Sequence, residues 1–197
     1  MTGTVRHEYD KRVVRTKKAI KEALFRIMER KDISSITISE LTAEADVNRR
    51  TFYTHYRCLT DVLDEIEGEL VVAIKELAGR FDPSDLEKSV SDLFLGMDKL
   101  ITQDFDYYFH LLRVDMRGML LIRLKNVLSA SADTMINLMV NKTDREAKAV
   151  SAFISGGFLC SYIDWHNNPN GISAERAARI AAAMVSACIE AAPNVIK

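Results

Sequence analysis

Between Asn48 and Tyr56 the chain reads Asn-Arg-Arg-Thr-Phe-Tyr-Thr-His-Tyr. Arg49 and Arg50 carry planar cationic forks that match a phosphate or the acceptor pair on a guanine edge, and Thr51 and Thr54 offer a hydroxyl beside a methyl. Tyr53 and His55 are suited to reaching phosphate oxygens from a helix flank. This set serves hydrogen bonding to a polyanion and to base edges. Phe52 and Tyr56, at i and i+4, supply a buried side, so a short helix capped by Asn48 leaves Arg49, Arg50, Thr51, Tyr53, Thr54 and His55 facing outward. The same residues also fit a plain solvated helix face.

Holding such a helix out requires neighbours. Thr37 with Glu40 has the form of a capping box, and Ile38, Leu41 and Ala45 give the helix it opens an inward stripe. Asp46-Val47-Asn48 then turns the chain, which makes Thr37–Tyr56 a helix-turn-helix pattern. A preceding helix is predicted over Thr16–Arg30 from the spacing of Ala19, Ile20, Ala23, Leu24, Ile27 and Met28. Upstream, Arg6, Lys11, Arg12, Arg15, Lys17 and Lys18 form a basic arm, either a minor-groove or phosphate contact or a disordered tail.

The charge distribution agrees with this placement. The 197 residues have a net charge of −1, yet residues 1–60 hold 13 Lys/Arg against 8 Asp/Glu and the remainder 14 against 20. A basic end that meets a polyanion and an acidic remainder that does not is the reading this supports. With 8 Gly and 3 Pro the chain is poor in turn formers, no strand-like alternation occurs, and an all-α fold is expected. The longest apolar run, Ile180–Ile189, is too short for a bilayer, and the polar N-terminus has no signal-type apolar stretch, so the cytoplasm is the expected compartment. Three scattered cysteines (Cys58, Cys160, Cys188) fit reduced thiols. His7, His55, His110 and His166 have no metal-ligand spacing and no Gly-rich phosphate loop is present, so neither metal, cofactor nor catalysis is expected. A dimeric scaffold without DNA binding is the other rival class.

Leu63, Ile66, Leu70, Ile74 and Leu77 predict a long helix from about Thr60 to Phe81, closed by Asp82-Pro83, along which two functional parts divide. Further helices are expected at roughly 84–102, 105–114, 116–140, 143–166 and 173–191, the first and fourth opening with Ser84/Glu87 and Thr143/Glu146 boxes.

On the residues 11–70, through Ile20, Ala23, Leu24, the stretch ITISELTAEADVNRRTFYTHY and the Val62-Leu63 pair, the sequence resembles the TetR/AcrR family of bacterial regulators. It looks closest to members reading "IT…I…A…NR.TFY.HY" that also end in a GGF…W segment, here Gly156-Gly157-Phe158 and Trp165. The resemblance implies an N-terminal DNA-binding domain (1–58) and a helical effector-binding and dimerisation domain (59–197). It implies that Arg49, Arg50, Thr51 and Thr54 face the major groove of a double-stranded operator, that Tyr53 and His55 clamp the DNA backbone, that Thr37 and Ser39 hold phosphate, and that Asn48 belongs to the same DNA-binding set. The chain departs from the pattern at Asp46, where Gly is usual, and at Cys58 and Leu59, where Ser and Lys are usual; one backbone contact is thereby lost.

One reading helix covers few base pairs, so a homodimer is expected to place two of them about 34–36 Å apart. The interface candidates are Phe153, Gly156, Gly157 and Cys160 on one late helix and Ala181, Met184, Val185 and Cys188 on the next, forming a four-helix bundle in the family manner or else serving as ordinary core. Met97, Tyr108, Leu112, Met116, Phe158 and Tyr162 are candidates to line a pocket for a small apolar effector, and equally suit a core. The resemblance implies a repressor released when that effector moves the long helix; control by a protein partner, or activation, is the alternative.

Overall fold

The computed structural model describes residues 3–104, 119–140 and 145–196, and among these there are only helices and their connections. Eight α-helices follow in order: α1 Gly3–Met28, α2 Ile38–Glu44, α3 Arg49–His55, α4 Leu59–Ala78, α5 Leu86–Lys99, α6 Met119–Val140, α7 Arg145–Asn167 and α8 Ala174–Val195. A single 3-10 turn, Ile33–Ser35, precedes α2, and a π turn, Leu100–Asp104, follows α5. The chain divides into two compact units, Met1–Glu69 and Leu70–Lys197, and the division falls inside α4.

In the first unit the stripe read from the sequence is the core: Ile20, Ala23, Leu24 and Ile27 of α1 are buried with Leu41, Phe52, Val62 and Ile66. Phe25, which lies off that stripe, is buried as well. Helix α1 begins thirteen residues before the expected Thr16, because Glu8 to Arg15 contain no helix breaker and continue the pattern. The expected arm is therefore helical, with Lys11, Arg12 and Arg15 exposed on it. Lys17 forms an ion pair with Glu65, 2.6 Å. Lys21 joins the same carboxylate at 2.7 Å and also pairs with Glu69.

In the second unit α5 packs on α8, α6 on α7, and α7 on α8. Buried Val90, Phe94 and Met97 of α5 meet a core completed by Leu124, Leu128, Ile136, Phe158, Leu159, Tyr162, Ala182 and Ile189. Gly96 permits close approach, since a Cβ there lies 3.0 Å from Leu77. Helix α5 does not start at Ser84. The backbone N–H and hydroxyl of Ser84 both donate to Asp82, at 2.9 and 2.8 Å, which leaves Asp85 to cap the helix by accepting from the Lys88 N–H. The Thr143 box, the segment 105–114 and the beginning of the 116–140 segment lie outside the described residues.

Candidate nucleic-acid interface

Two seven-residue helices and one turn build this surface. The Thr37 hydroxyl accepts from the Glu40 N–H at 3.2 Å and opens α2. The reciprocal half of the capping box is not what Glu40 does: its carboxylate pairs with Lys31. At the far end Val47 N–H donates to Thr42 C=O (3.0 Å) and Asp46 N–H to Ala43 C=O (3.2 Å), the paired bonds that close a helix through one left-handed residue. That residue is Asp46, at φ 51. Asn48 then caps α3, its side-chain oxygen accepting from the Arg50 N–H at 2.8 Å.

The two apolar anchors go inward: Phe52 of α3 is fully buried and Tyr56, the C-cap of that helix, is 3% exposed. Burial pushes the Tyr56 hydroxyl up from its usual range, with Glu65 nearby adding to the effect. The Lys17 ammonium sits 5.4 Å from the centre of the Tyr56 ring. Arg49, Arg50, Tyr53 and Thr54 are exposed, and Thr51 and His55 half-buried. Exposed Thr37 and Ser39 of the preceding helix complete the set read from the sequence.

These side chains do not all stand free. Arg49 Nη1 donates to Ser39 Oγ at 3.2 Å and its Nη2 to the Tyr53 hydroxyl at 3.3 Å. Thr54 donates its hydroxyl proton to Arg50 C=O at 3.0 Å, so what it offers outward is a methyl and oxygen lone pairs. Thr37 uses its hydroxyl oxygen as the cap.

Three acidic residues of this unit, Glu40, Glu44 and Glu65, pair with bases of α1 and of the turn just after it. Glu44 takes Arg26 and Arg30, each at 2.9 Å, and these hydrogen bonds hold its carboxyl below the ordinary value. The hydrogen bond from Lys31 does the same for Glu40. With Glu40, Glu44 and Glu65 each compensated by bases of the first unit, the cationic side chains of α3 face outward uncancelled by them.

Asp61 is a positioning group the sequence did not announce. It accepts from the Arg57 N–H at 2.7 Å and from Cys58 Sγ at 3.5 Å, fixing the step from α3 into α4, and the Arg57 bond lowers its carboxyl. Its position three residues after Cys58, in the first turn of a helix, is the signal that could have found it.

In the second unit an apolar cavity of about 50 Å3 is lined by residues of α5, α6, α7 and α8, among them Leu93, Leu128, Met135, Ser155, Phe158 and Val185. Of the pocket candidates Phe158 lines it, whereas buried Met97 and Tyr162 pack elsewhere in the core. Tyr162 stands in an aromatic group with Phe94 (5.1 Å between ring centres), Trp165 and His166. His166 Nδ1 approaches Asp98 at 3.3 Å. Tyr108, Leu112 and Met116 lie outside the described residues. The Ser129 and Ser155 hydroxyls, 2.6 Å apart, are polar groups at this core that the sequence reading missed; nothing in their spacing brings α6 and α7 together.

Of the interface candidates, Phe153 (71% exposed), Met184 (63%), Gly157 and Cys160 face outward. Gly156 and Cys188 are half-buried, while Ala181 and Val185 are buried. Exposed Ile172 and Ile180 add to the same apolar surface, which borders a groove of about 320 Å3. Among the described residues no group of three His, Cys, Asp or Glu is placed to hold a metal, and no helix is long and apolar enough to cross a membrane.

No family model matches the chain. An uncharacterized HTH-type transcriptional regulator of Bacillus subtilis strain 168, YxbF, is 29% identical over 102 residues, 47% of this chain. The match spans about a quarter (26%) of that relative's length. Among solved structures, a TetR transcriptional regulator from Streptococcus agalactiae 2603V superposes with a TM-score of 0.65 at 20% identity, covering 91% of this chain and 98% of that one. The dihydroxyacetone kinase operon activator DhaS gives 0.57 at 14% identity, over 89% and 96% of the two chains. The TetR family repressor AlkX from Dietzia sp. strain DQ12-45-1b gives 0.52 at 16%, over 92% and 98%. The chain thus has the all-α, TetR-like fold, an N-terminal helix-turn-helix followed by a C-terminal helical domain.

Proposed function

We propose that this chain is a sequence-specific DNA-binding transcriptional regulator, of the TetR type with an NR.TFY.HY recognition helix, and that it acts as a homodimer. The observation that carries the reading is the division of α3: Phe52 and Tyr56 buried, Arg49, Arg50, Tyr53 and Thr54 exposed on one short helix ahead of a well-formed turn. Arg49, Arg50, Thr51 and Thr54 read base edges in the major groove; Tyr53, His55, Ser39 and Thr37 hold the backbone on either side. The similarity to YxbF and to the three solved regulators supports the same reading.

The exposed Phe153, Gly157, Cys160, Ile180 and Met184 supply the surface on which two protomers join. The C-terminal cavity is the place for a small apolar effector. At about 50 Å3 it is far below the roughly 300–1,000 Å3 of an occupied ligand site, so an effector held at this cavity binds an opened arrangement of α5 to α8 better than the closed one. That difference in affinity is what allows it to shift operator binding. Repression relieved by the effector is the first reading. Activation is the second, supported by the fold shared with the operon activator DhaS.

The experiment is selection of duplexes from a randomised pool by the purified protein, followed by affinity measurement over a salt series. The expected result is an enriched, two-fold symmetric site whose binding weakens steeply with salt. Failure to enrich any sequence contradicts the proposal.

A further inference from the structure

We infer that Ser39 is a positioning residue for Arg49, and that with Tyr53 it couples the grip on the DNA backbone to the reading of a base. The inference deepens the proposed function and rests on it. Arg49 is the first residue of α3, and a long side chain at such an exposed site ordinarily samples many rotamers, which must be given up on binding. Here it is held at both ends of its fork: Nη1 donates to Ser39 Oγ at 3.2 Å, and Nη2 donates to the Tyr53 hydroxyl at 3.3 Å. The guanidinium carbon also lies 5.7 Å from the centre of the Tyr53 ring. The two partners come from different helices, ten residues before Arg49 and four after it.

Both partners are themselves fixed. Tyr53 rests edge-on against buried Phe52, with ring centres 5.6 Å apart. Ser39 is in the first turn of α2, and its carbonyl accepts from the Thr42 hydroxyl at 3.1 Å. The donor count leaves room for the base: a guanidinium has five N–H groups, and the two hydroxyls take one each. The hydroxyl count leaves room for DNA. Each oxygen accepts from Arg49 and so keeps its own O–H free to donate to a phosphate oxygen. A hydroxyl that donates to an anion becomes a better acceptor, so a phosphate held by Ser39 or Tyr53 strengthens the hold on Arg49. Backbone contact on the correct register thereby orders the base-reading side chain, and an incorrect register leaves it less ordered.

The test is a double-mutant cycle on a duplex enriched by the wild-type protein from a randomised pool, with a shuffled duplex as reference, at one salt concentration. Ser39→Ala is expected to lower the ratio of the two affinities about fivefold when Arg49 is present and to leave it unchanged in the Arg49→Ala background. Ser39→Thr, which keeps the hydroxyl, restores the ratio. If Ser39→Ala weakens both duplexes equally, or lowers the ratio as much without Arg49 as with it, Ser39 is a plain backbone contact and the inference is overturned. If the wild-type protein enriches no duplex, base reading itself fails and the positioning role falls with it. Thermal unfolding of each variant, expected to match wild type, separates these results from loss of the fold.

Discussion

The rings of Phe52 and Tyr53 meet edge to face, their centres 5.6 Å apart and their planes at 84°, with the first wholly buried and the second 47% exposed. One residue of difference along α3 thus separates the group that holds the helix down from the group that works on its outer side. Removing the anchor is expected to cost the first unit about 3–5 kcal/mol in the Phe52→Ala variant, because a large ring leaves a cavity its neighbours cannot fill. Thermal unfolding followed by circular dichroism checks this. Retention of wild-type stability would show that α3 is not seated through Phe52.

Asp46 occupies the left-handed region at φ 51, in the turn between the two short helices. A β-branched residue tolerates that region poorly, and Asp46→Val is expected to destabilise the first unit by about 1–2 kcal/mol. Asp46→Gly removes the steric penalty and adds backbone freedom in the unfolded chain, so its net effect stays within roughly 1 kcal/mol. The chemical denaturation midpoints of the two variants rank them; Val as stable as Gly contradicts the turn geometry.

Burial pushes the Glu65 carboxyl up, but hydrogen bonds from Lys17 and Lys21 outweigh this and leave it below its ordinary value of 4.5. A carboxyl lowered on folding contributes stability that is present above its unfolded value and is lost as pH falls through the folded one. The first unit is therefore expected to lose stability progressively below about pH 4.5, and Glu65→Gln to flatten that acid limb while lowering stability at neutral pH by about 1–2 kcal/mol. Denaturation midpoints across pH 3 to 7 measure both, as conditions chosen around that value. An acid limb of undiminished slope in the variant contradicts the assignment.

A Cβ placed on Gly157 meets nothing within 4 Å, so added bulk there does not disturb the protomer. Gly157→Trp, and separately Met184→Glu on the neighbouring helix, are expected to convert a dimer to a monomer with unchanged helix content. Light scattering coupled to size exclusion reads the mass. An intact dimer in both variants moves the interface away from α7 and α8.

What was legible in the sequence was local. Thr37 and Asn48 cap helices through bonds to amides two or three residues on, and Phe52 and Tyr56 mark a face by their spacing alone, so each could be read from its neighbours. The Ser84 start failed because Ser84 turns its backbone N–H and hydroxyl back to Asp82, and Asp85, one residue on, takes the Lys88 N–H as the cap instead. The Arg49–Ser39 bond, the Glu65 pairs with Lys17 and Lys21, and the Ser129–Ser155 contact join residues whose proximity is set by tertiary packing, and no period or motif encodes it. Burial of Ala181 and Val185 was hidden for a related reason: a helix rich in small apolar residues shows no contrast between the face turned to its own core and the face left open.

The most direct measurement is methylation interference on an enriched duplex, since methylating guanine N7 blocks a major-groove acceptor without altering the backbone. Interference is expected at guanines in two symmetric patches one helical turn apart, about 34–36 Å, with one position in each patch losing its effect in the Arg49→Ala variant. Binding that is indifferent to N7 methylation, or a pattern the Arg49→Ala variant leaves unchanged at every guanine, would contradict this expectation.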